Sequence, residues 1–194
     1  PADAGQLMTA ALQYDDPVIF MEHKFLSETA LEFLGSGGRK TVSYDLPVQG
    51  VRGPVPQPWF PLPFGKAILR RNGDDLTIVS VGVGVHRARQ AAEKLAEVGL
   101  SAGVLDLRSI APLDKEALFT QVTRTQHLLV VDEDYEQFGL SGELAALVME
   151  TGIRCKYKRV CTQTTIPYAR KLEENTLPNV ERITAGALQL METS

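Results

Sequence analysis

The architecture of this 194-residue chain follows from one uninterrupted stretch between Asp74 and Asp132, DDLTIVSVGVGVHRARQAAEKLAEVGLSAGVLDLRSIAPLDKEALFTQVTRTQHLLVVD. Three short apolar runs alternate in it with two segments whose apolar residues recur at helical spacing. Strands that alternate with helices of this length indicate a parallel sheet covered by helices on both faces. We therefore predict an α/β fold, with strands at 76–82, 100–107 and 127–131 and helices at 87–98 and 114–122.

The residues on either side extend this βαβαβ core. Lys66 to Arg70 and Asp75 to Val81 are joined by Arg71-Asn-Gly-Asp74, and Asn-Gly is a strong turn signal between two strands. The pattern predicts an antiparallel hairpin at the edge of a mostly parallel sheet. Further along, the spacing predicts a helix over 140–149, a strand over 158–162 and a closing helix over 179–191, which complete a three-layer α/β/α domain.

The first 26 residues have a different organisation. Asp3 to Leu12 has the pattern of an amphipathic helix, and Pro17 to Glu22 that of a strand. A helix followed by a strand, with no strand before it, is typical of the end of an α/β domain. Because the chain also begins with Pro1 and has no signal-peptide pattern, we expect it to be the C-terminal part of a longer protein.

Residues 27–63 form a predicted linker between that tail and a domain over 64–194. Six of the eleven prolines fall in it, and proline disfavours both helices and central strands. Thr29 to Leu34 is predicted to form one helical turn. Trp59 and Phe60 are the expected points at which the linker is attached to a folded surface. A connection of this length is typical of domain linkers or of segments with a function of their own.

Composition narrows the classes of function. The net charge of −4 gives no reason to propose a nucleic acid or an anionic membrane as a partner, and no apolar run approaches the roughly 20 residues that span a bilayer. Cys155 and Cys161 are the only cysteines. We expect reduced, buried thiols rather than a disulfide or metal pair, because other zinc ligands are missing nearby. These features predict a cytoplasmic protein.

A first candidate site is Gly82-Val-Gly-Val-His86, between a strand and a helix, where doubly wound folds bind phosphates. The dinucleotide motif needs a third glycine at the position of Arg87, so a tight strand-to-helix turn is the favoured interpretation and a small-anion site the alternative. His86, at the start of the helix, could polarise or protonate a ligand. A structural or solvated histidine is the simpler interpretation.

Two charged clusters are further candidates. Asp132-Glu-Asp134 follows a predicted strand, where carboxylates could hold Mg²⁺ or act as acid and base. The simpler interpretation is a solvated loop whose acids favour the start of the next helix, with Ser141 to Glu143 in its first turn. The basic residues either face solvent or dock an acidic partner: Arg154, Lys156, Lys158, Arg159 and Arg170. None of these clusters forms a strong catalytic pattern.

Several motifs in register nevertheless resemble a known family. They occur in the order DPVIFMEHK from Asp16, LPFGK from Leu62, LDLR from Leu105 with APLD from Ala111, LVVDE from Leu129 and LPNVERI from Leu177. The series is similar to the C-terminal half of the beta subunit of 2-oxo acid dehydrogenase decarboxylating components, of the pyruvate, branched-chain and acetoin types. It indicates a transketolase-type C-terminal domain.

The resemblance implies an enzyme in which thiamine diphosphate and Mg²⁺ decarboxylate a 2-oxo acid and the acyl unit passes to a lipoyl group. The glutamate that activates the cofactor and the Mg²⁺–diphosphate site lie outside the matched positions. We therefore predict no catalytic, cofactor-binding or metal residue in this fragment, which would be inactive alone. The implied role is assembly with another beta subunit, the alpha subunit and the lipoyl acyltransferase core.

The sequence departs from the family in two places. The implied docking of the acyltransferase uses an acidic patch, but Arg154-Cys-Lys-Tyr-Lys-Arg159 is basic, and the 27–63 linker is longer than usual. Two alternatives therefore stay open. One is another transketolase-type enzyme, such as a transketolase or deoxyxylulose-phosphate synthase. The other is a non-catalytic regulatory module of the same fold that binds a small anion at Gly82–His86.

Overall fold

The computed structural model describes residues 2–23, Leu26 and 55–192. Within these ranges six helices and five strands are formed. The helices are α1 (Ala2–Leu12), α2 (Val83–Glu97), α3 (Lys115–Thr125), α4 (Leu140–Glu150), α5 (Arg170–Thr176) and α6 (Val180–Glu192). The strands are β1 (Ile68–Arg71), β2 (Leu76–Ser80), β3 (Ala102–Asp106), β4 (His127–Tyr135) and β5 (Lys156–Thr162). No helix in the described ranges is long and apolar enough to cross a membrane.

The five strands form one sheet in the order β1-β3-β2-β4-β5. β2 pairs in parallel with β3 on one side and β4 on the other, and β5 continues the parallel ladder beyond β4. Every residue of β2 and β3 is buried, as expected for central strands covered on both faces. The predicted α/β architecture and its mostly parallel sheet are confirmed.

The hairpin prediction needs a correction in its pairing. β1 lies at the sheet edge and is antiparallel to its neighbour, but that neighbour is β3 and not β2. The Asn72-Gly73 turn is seated against the beginning of β3: a Cβ on Gly73 would fall about 2.0 Å from the Gly103 nitrogen, and the Asp75 amide donates to the Ser101 carbonyl at 2.9 Å. The turn carries the chain past β3, because β2 is held between two parallel neighbours.

Two apolar cores cover the faces of the sheet. On one face α2 and α6 pack on β2, β3 and β4, with Leu95 and Ile183 fully buried among them. On the other face α3 and α4 pack through Leu118, Val122 and Leu144. The amphipathic helices predicted from the sequence thus provide the outer two layers. The closing helix begins at Val180, where the Asn179 side chain accepts a hydrogen bond from the Arg182 amide at 2.8 Å.

The N-terminal residues lie against this domain. α1 confirms the predicted helix, and the Trp59 ring packs directly over Gly5, so Trp59 is an attachment point as expected. The Leu62 amide donates to the Gln6 carbonyl at 3.1 Å, and Tyr14 meets Phe64 edge to face. Phe60 is largely exposed and does not anchor the segment.

The strand predicted over Pro17 to Glu22 is not formed. These residues are assigned no secondary structure, and Ile19 and Met21 are mostly exposed. A run of β-forming residues becomes a strand only when a neighbouring strand pairs with its backbone. The predicted helical turn at Thr29 to Leu34 lies outside the described residues, as does most of the 27–63 linker, and the division into three domains stays a prediction.

The two largest boundary differences from the sequence prediction are of four residues each, and one helix was missed. α2 begins at Val83, four residues before the predicted start, so Gly84 and His86 are helical. β4 continues to Tyr135 and includes Asp132, Glu133 and Asp134, which were expected to follow the strand in a loop. The short helix α5 was not predicted. Both boundary changes bring charged side chains onto regular elements at the same edge of the sheet.

Candidate functional site at the carboxyl edge of the sheet

The carboxyl ends of β2, β3 and β4 form the edge where open α/β sheets bind ligands. The chain leaves β2 toward β3 on one side, and β4 lies on the other, so the topological switch point is between β2 and β4. The residues at this edge include Asp106 at the end of β3, Glu133 near the end of β4 and the first turns of α2. Two ion-pair clusters occupy it, and each includes one residue from the N-terminal segment.

The first cluster joins α1 to the ends of β1 and β3. Arg70 donates to Asp106 through Nε at 3.0 Å and Nη2 at 2.8 Å, and the same guanidinium contacts Asp3. Arg108 donates to both oxygens of Asp3, at 3.1 and 2.9 Å. Burial alone would raise the pKa of Asp3, but the hydrogen bonds and charges of the two arginines outweigh it and hold the pKa below its usual value.

The second cluster lies at the end of β4. Glu133 Oε2 is 2.6 Å from His23 Nε2, and Glu133 Oε1 accepts from Arg87 Nη1 at 2.6 Å. The same Arg87 nitrogen donates to the Pro178 carbonyl at 3.0 Å, which connects α2 to the segment just before α6. The Arg87 side chain is only 8% exposed. Burial alone would raise the pKa of Glu133, but His23 and Arg87 together lower it.

The pKa of Asp132 is shifted in the opposite direction to that of its neighbour Glu133. Its side chain is buried, its Oδ1 accepts from the Asp134 amide at 3.0 Å, and its Oδ2 has no hydrogen-bond partner among the described residues. Burial raises the pKa of Asp132, and the charges of Asp134 and Glu133 add to the effect. The solvated-loop interpretation of Asp132 and Glu133 is therefore wrong, because both lie in β4 and neither is fully exposed, while the Mg²⁺ or acid–base role stays a prediction.

The glycine segment forms a tight entry into α2. Gly82 has a φ of 60° and ψ of −131°, a backbone region that residues with a Cβ rarely adopt. Gly84 sits over Ser80, whose hydroxyl donates to the Val131 carbonyl at 2.8 Å and so connects β2 to β4. Each of these two glycines has a structural reason to be there. Arg87, in place of a third glycine, bridges to β4 through Glu133.

His86 is half-buried in the first turns of α2. Burial lowers its pKa, and the charge of Arg89 lowers it further while Asp106 opposes the change. A neutral imidazole is therefore favoured. Its assignment as a ligand-polarising group stays a prediction.

The predicted basic surface is partly neutralised. The Arg159 guanidinium donates to the Glu136 carbonyl at 2.8 Å and to the Glu136 carboxylate at 3.1 Å. Lys158 is half-buried, and its methylene groups pass beside Gly186 of α6. Arg154 is exposed, and no hydrogen bond or ion pair is formed by it among the described residues. An acidic partner would therefore meet fewer available charges than the sequence suggested.

The cysteines are not bonded to each other. Cys161 is buried at the end of β5 and Cys155 is half-buried before it, and both are free thiols whose pKa values burial raises. Within the part of the chain that the structure describes, no group of three or more His, Cys, Asp or Glu side chains is arranged to hold a metal ion.

The ion pairs themselves were not predicted from the sequence. The residues of these clusters come from separate segments, so only tertiary packing brings them together: Asp3, His23, Arg70, Arg87 and Arg108. The one available sequence signal was Arg87 itself, a charge on the apolar face of an otherwise alanine-rich helix. A charge at such a position is almost never fully buried unless it is paired.

Known proteins are similar to this chain in sequence, and a solved structure is similar to it in fold. The transketolase C-terminal domain model matches residues 65–183. The beta subunit of 2-oxoisovalerate dehydrogenase from Bacillus subtilis is 35% identical over 99% of this chain and 54% of its own length. The beta subunit of the acetoin:2,6-dichlorophenolindophenol oxidoreductase of the same organism is 34% identical over 98% of this chain and 51% of its own.

A mitochondrial relative and a solved structure agree with these matches. The pyruvate dehydrogenase E1 component subunit beta-1 of Arabidopsis thaliana is 35% identical over 93% of this chain and 46% of its own length. A split-gene transketolase, in an inactive beta4 tetramer, superimposes with a TM-score of 0.63 at 22% identity, over 68% of this chain and 44% of that one, and supports the fold alone. The chain spans about half the length of the curated relatives. It belongs to the transketolase C-terminal domain family.

Proposed function

We propose that this chain is the assembly part of the beta subunit of a 2-oxo acid dehydrogenase, and that it provides a rigid scaffold rather than catalytic groups. The observation that carries the proposal is the pairing of carboxylates with arginines of the same chain at the carboxyl edge. The carboxylates of Asp106 and Glu133, which would otherwise face the ligand crevice, are held by Arg70 and Arg87 of the same chain. Internal pairing of these two carboxylates favours a structural role over ligand binding, and Asp132 is the buried carboxylate at this edge whose Oδ2 has no hydrogen-bond partner among the described residues.

Contacts of the N-terminal segment with the sheet also support the proposed assembly role. Asp3 and His23 extend the two clusters, so residues that precede the matched family domain are attached to its sheet at two points. In the full protein such contacts would fix the orientation of the preceding domain relative to this one. Rigid attachment matters for an enzyme whose cofactor is held between subunits, because catalytic geometry tolerates little displacement.

Thiamine diphosphate with Mg²⁺ is the cofactor that the family proposal implies for the whole enzyme. The described residues do not fit that group, since Asp106 and Glu133 at the carboxyl edge are paired with arginines and no group of three or more His, Cys, Asp or Glu side chains among the described residues could hold a metal ion. We therefore assign the cofactor to other parts of the enzyme and derive no step through it here.

The proposed partners are a second beta subunit, an alpha subunit and the lipoyl acyltransferase core. Docking of the acyltransferase by charge would use other residues than Arg159, which Glu136 already neutralises. The proposed location is the cytoplasm, with the two free cysteines as support. Relatives whose names place them in mitochondria make the mitochondrial matrix the alternative.

A hybrid subunit tests the proposal. The matching half of the B. subtilis 2-oxoisovalerate dehydrogenase beta subunit would be replaced by this chain and co-expressed with its own alpha subunit. We expect the hybrid to co-purify with the alpha subunit and to reduce dichlorophenolindophenol with 2-oxoisovalerate. A folded hybrid that stays alone on gel filtration would contradict the assembly role, and the beta subunit truncated before this half is the control.

Two other observations separate the alternatives. A gene whose upstream region encodes both cofactor-binding domains on one chain would favour a transketolase-type enzyme. A regulatory module would instead show binding of inorganic phosphate that Gly82→Ala removes, with no contribution to assembly.

A further inference from the structure

A pocket of about 420 Å³ opens at the opposite end of the sheet, where β4 and β5 begin. It lies between the last turn of α4 and the first residues of the two strands. Seven of its lining residues are apolar, aromatic or a neutral thiol, namely Leu128, Ala145, Val148, Met149, Ile153, Cys155 and Tyr157, and Gly152 and Arg154 complete it. Its volume is within the range of small-molecule sites.

The polar groups around the pocket are almost all engaged elsewhere. The Tyr157 hydroxyl donates to the Ser141 carbonyl at 2.7 Å. At the end of α4, the Val148 carbonyl accepts from the Thr151 hydroxyl at 2.6 Å and the Met149 carbonyl from the Gly152 amide at 3.0 Å. A ligand would therefore meet an apolar wall, because the groups that could bind its polar atoms are already bonded.

Arg154 is the exception and is the only charged residue of the lining. It is exposed, and the described residues give it no ion pair or hydrogen bond. The other arginines discussed above, at positions 70, 87, 108 and 159, each pair with a carboxylate of this chain. An unpaired guanidinium beside an apolar cavity complements a ligand with an apolar body and one anionic end.

We propose that this pocket binds a medium-chain or aromatic monocarboxylate, with its apolar part against Val148 and Ile153 and its carboxylate on Arg154. A carboxylate is preferred to a larger polyanion because Arg154 is the single charged residue among the residues that line the pocket. The site is separate from the carboxyl edge. Arg154 belongs to the basic segment Arg154-Cys-Lys-Tyr-Lys-Arg159, where the resemblance implies acyltransferase docking, so the proposal requires that docking to use other residues.

Titration of the purified protein with octanoate tests the proposal, followed by calorimetry and by amide chemical shifts. We expect saturable binding that shifts residues 148–155, with octanol and octylamine binding at least about fivefold more weakly. Arg154→Gln should weaken octanoate binding about five- to tenfold, since a charge-assisted hydrogen bond is removed. Arg89→Gln, a change at an exposed arginine of α2, is the matched control and should leave binding unchanged.

A pocket-filling variant localises the site. Ala145→Leu places a larger side chain into the pocket and should reduce octanoate affinity at least tenfold, whereas Ala146→Leu, at the next and exposed position, should have no effect. Equal binding of octanol and octanoate would overturn the anionic class of ligand. Binding that survives Ala145→Leu would overturn the location, as would a dimer in solution that Ala145→Leu dissociates, because the occupant would then be a second copy.

Discussion

The two ends of the sheet differ in how their charges are satisfied. At the carboxyl edge, arginines and carboxylates from β1, β3, β4 and α2 pair with each other and with Asp3 and His23. At the amino end, an apolar pocket is left open beside Arg154, which has no partner among the described residues. Asp106 and Glu133, at the usual ligand edge of an α/β sheet, are thus paired within the chain, while the end that is usually structural has an apolar pocket at its surface.

This contrast has a physical cause. Buried ion pairs form only when desolvation is offset by good geometry, and the carboxyl edge offers several backbone and side-chain partners in close register. The amino end offers few polar partners, because the end of α4 bonds its own carbonyls. Substitutions at the carboxyl edge should reveal how much its ion pairs and local packing contribute to stability, and the largest expected effect comes first.

Removal of Arg87 should cause the greatest loss of stability. Arg87→Ala leaves the Glu133 carboxylate without its guanidinium and breaks the bond to Pro178. Breaking a buried pair by removing one partner costs about 3–5 kcal/mol, and we expect about 3 kcal/mol because the Glu133 side chain is 25% exposed. Urea unfolding measures the change. Lys94→Ala, which removes the exposed pair with Glu181, is the control and should cost under about 0.5 kcal/mol.

Replacement of Asp3 should release α1 without unfolding the domain. Asp3→Asn removes the charge that Arg70 and Arg108 share. We expect α1 amides to exchange with solvent about tenfold faster, which corresponds to roughly 1.4 kcal/mol of local stability, while the strands keep their protection. Hydrogen exchange with mass spectrometry measures both. Asp15→Asn, at an exposed position, should leave α1 unaffected, and equal exchange in the two variants would show that the first cluster does not hold the helix.

The adjacent acids of β4 should give opposite dependences on pH. The pKa of Glu133 is lowered in the folded state, so its stabilisation is present above the unfolded value of about 4.5 and is lost as the pH falls through the folded value. The pKa of Asp132 is raised, so stability falls as the pH rises from about 3.8 through the folded value.

Unfolding of two neutral variants from about pH 2 to about pH 8 measures this difference. The deficit of Glu133→Gln relative to the parent protein should shrink as the pH falls below about 4.5. Asp132→Asn should gain stability relative to the parent as the pH rises. Two parallel curves would mean that these carboxylates do not differ in environment, and the contrast drawn between them would be wrong.

The smallest effect is expected at the entry to α2. A Cβ on Gly84 would fall about 2.2 Å from the Ser80 hydroxyl, so Gly84→Ala should displace that hydroxyl from the Val131 carbonyl. The better helix propensity of alanine, about 1 kcal/mol, offsets most of the loss, and we expect a net change within about 1 kcal/mol. The loss of stability in the double variant Ser80→Ala with Gly84→Ala should be smaller than the sum of the losses in the two single variants. Thermal unfolding of the three variants measures this difference.

Hydrophobic periodicity was sufficient to predict the central strands and helices. β2, β3 and the first half of β4 are mostly apolar, and short apolar runs that alternate with helices are typical of strands buried on both faces in a parallel sheet. The pairing of β1 was wrong because the Asn72-Gly73 signal describes a local turn and carries no information on whether another strand lies between its two arms. The strand expected at Pro17 to Glu22 failed for a related reason, since a strand requires a partner.

The carboxyl edge was the least predictable part. Glu133 was assigned to a loop because periodicity ends where its apolar neighbours end, although the backbone of β4 continues to pair with β5 at Tyr135. Arg87 was noted only as an obstacle to nucleotide binding. Its partner lies 46 residues away, and sequence spacing does not encode such a distance.

The sequence by itself determined the layered α/β architecture, the parallel core and the family, because local periodicity and ordered motifs are properties of neighbouring residues. Only the tertiary structure decided which strand flanks β1, that Glu133 binds Arg87 and His23, and that Arg154 stands beside an open apolar pocket. Each of these depends on the distance between residues far apart in the chain. That distance is set when α2, α4 and α6 bury their apolar faces against the sheet, because hydrophobic burial is the dominant favourable contribution to folding.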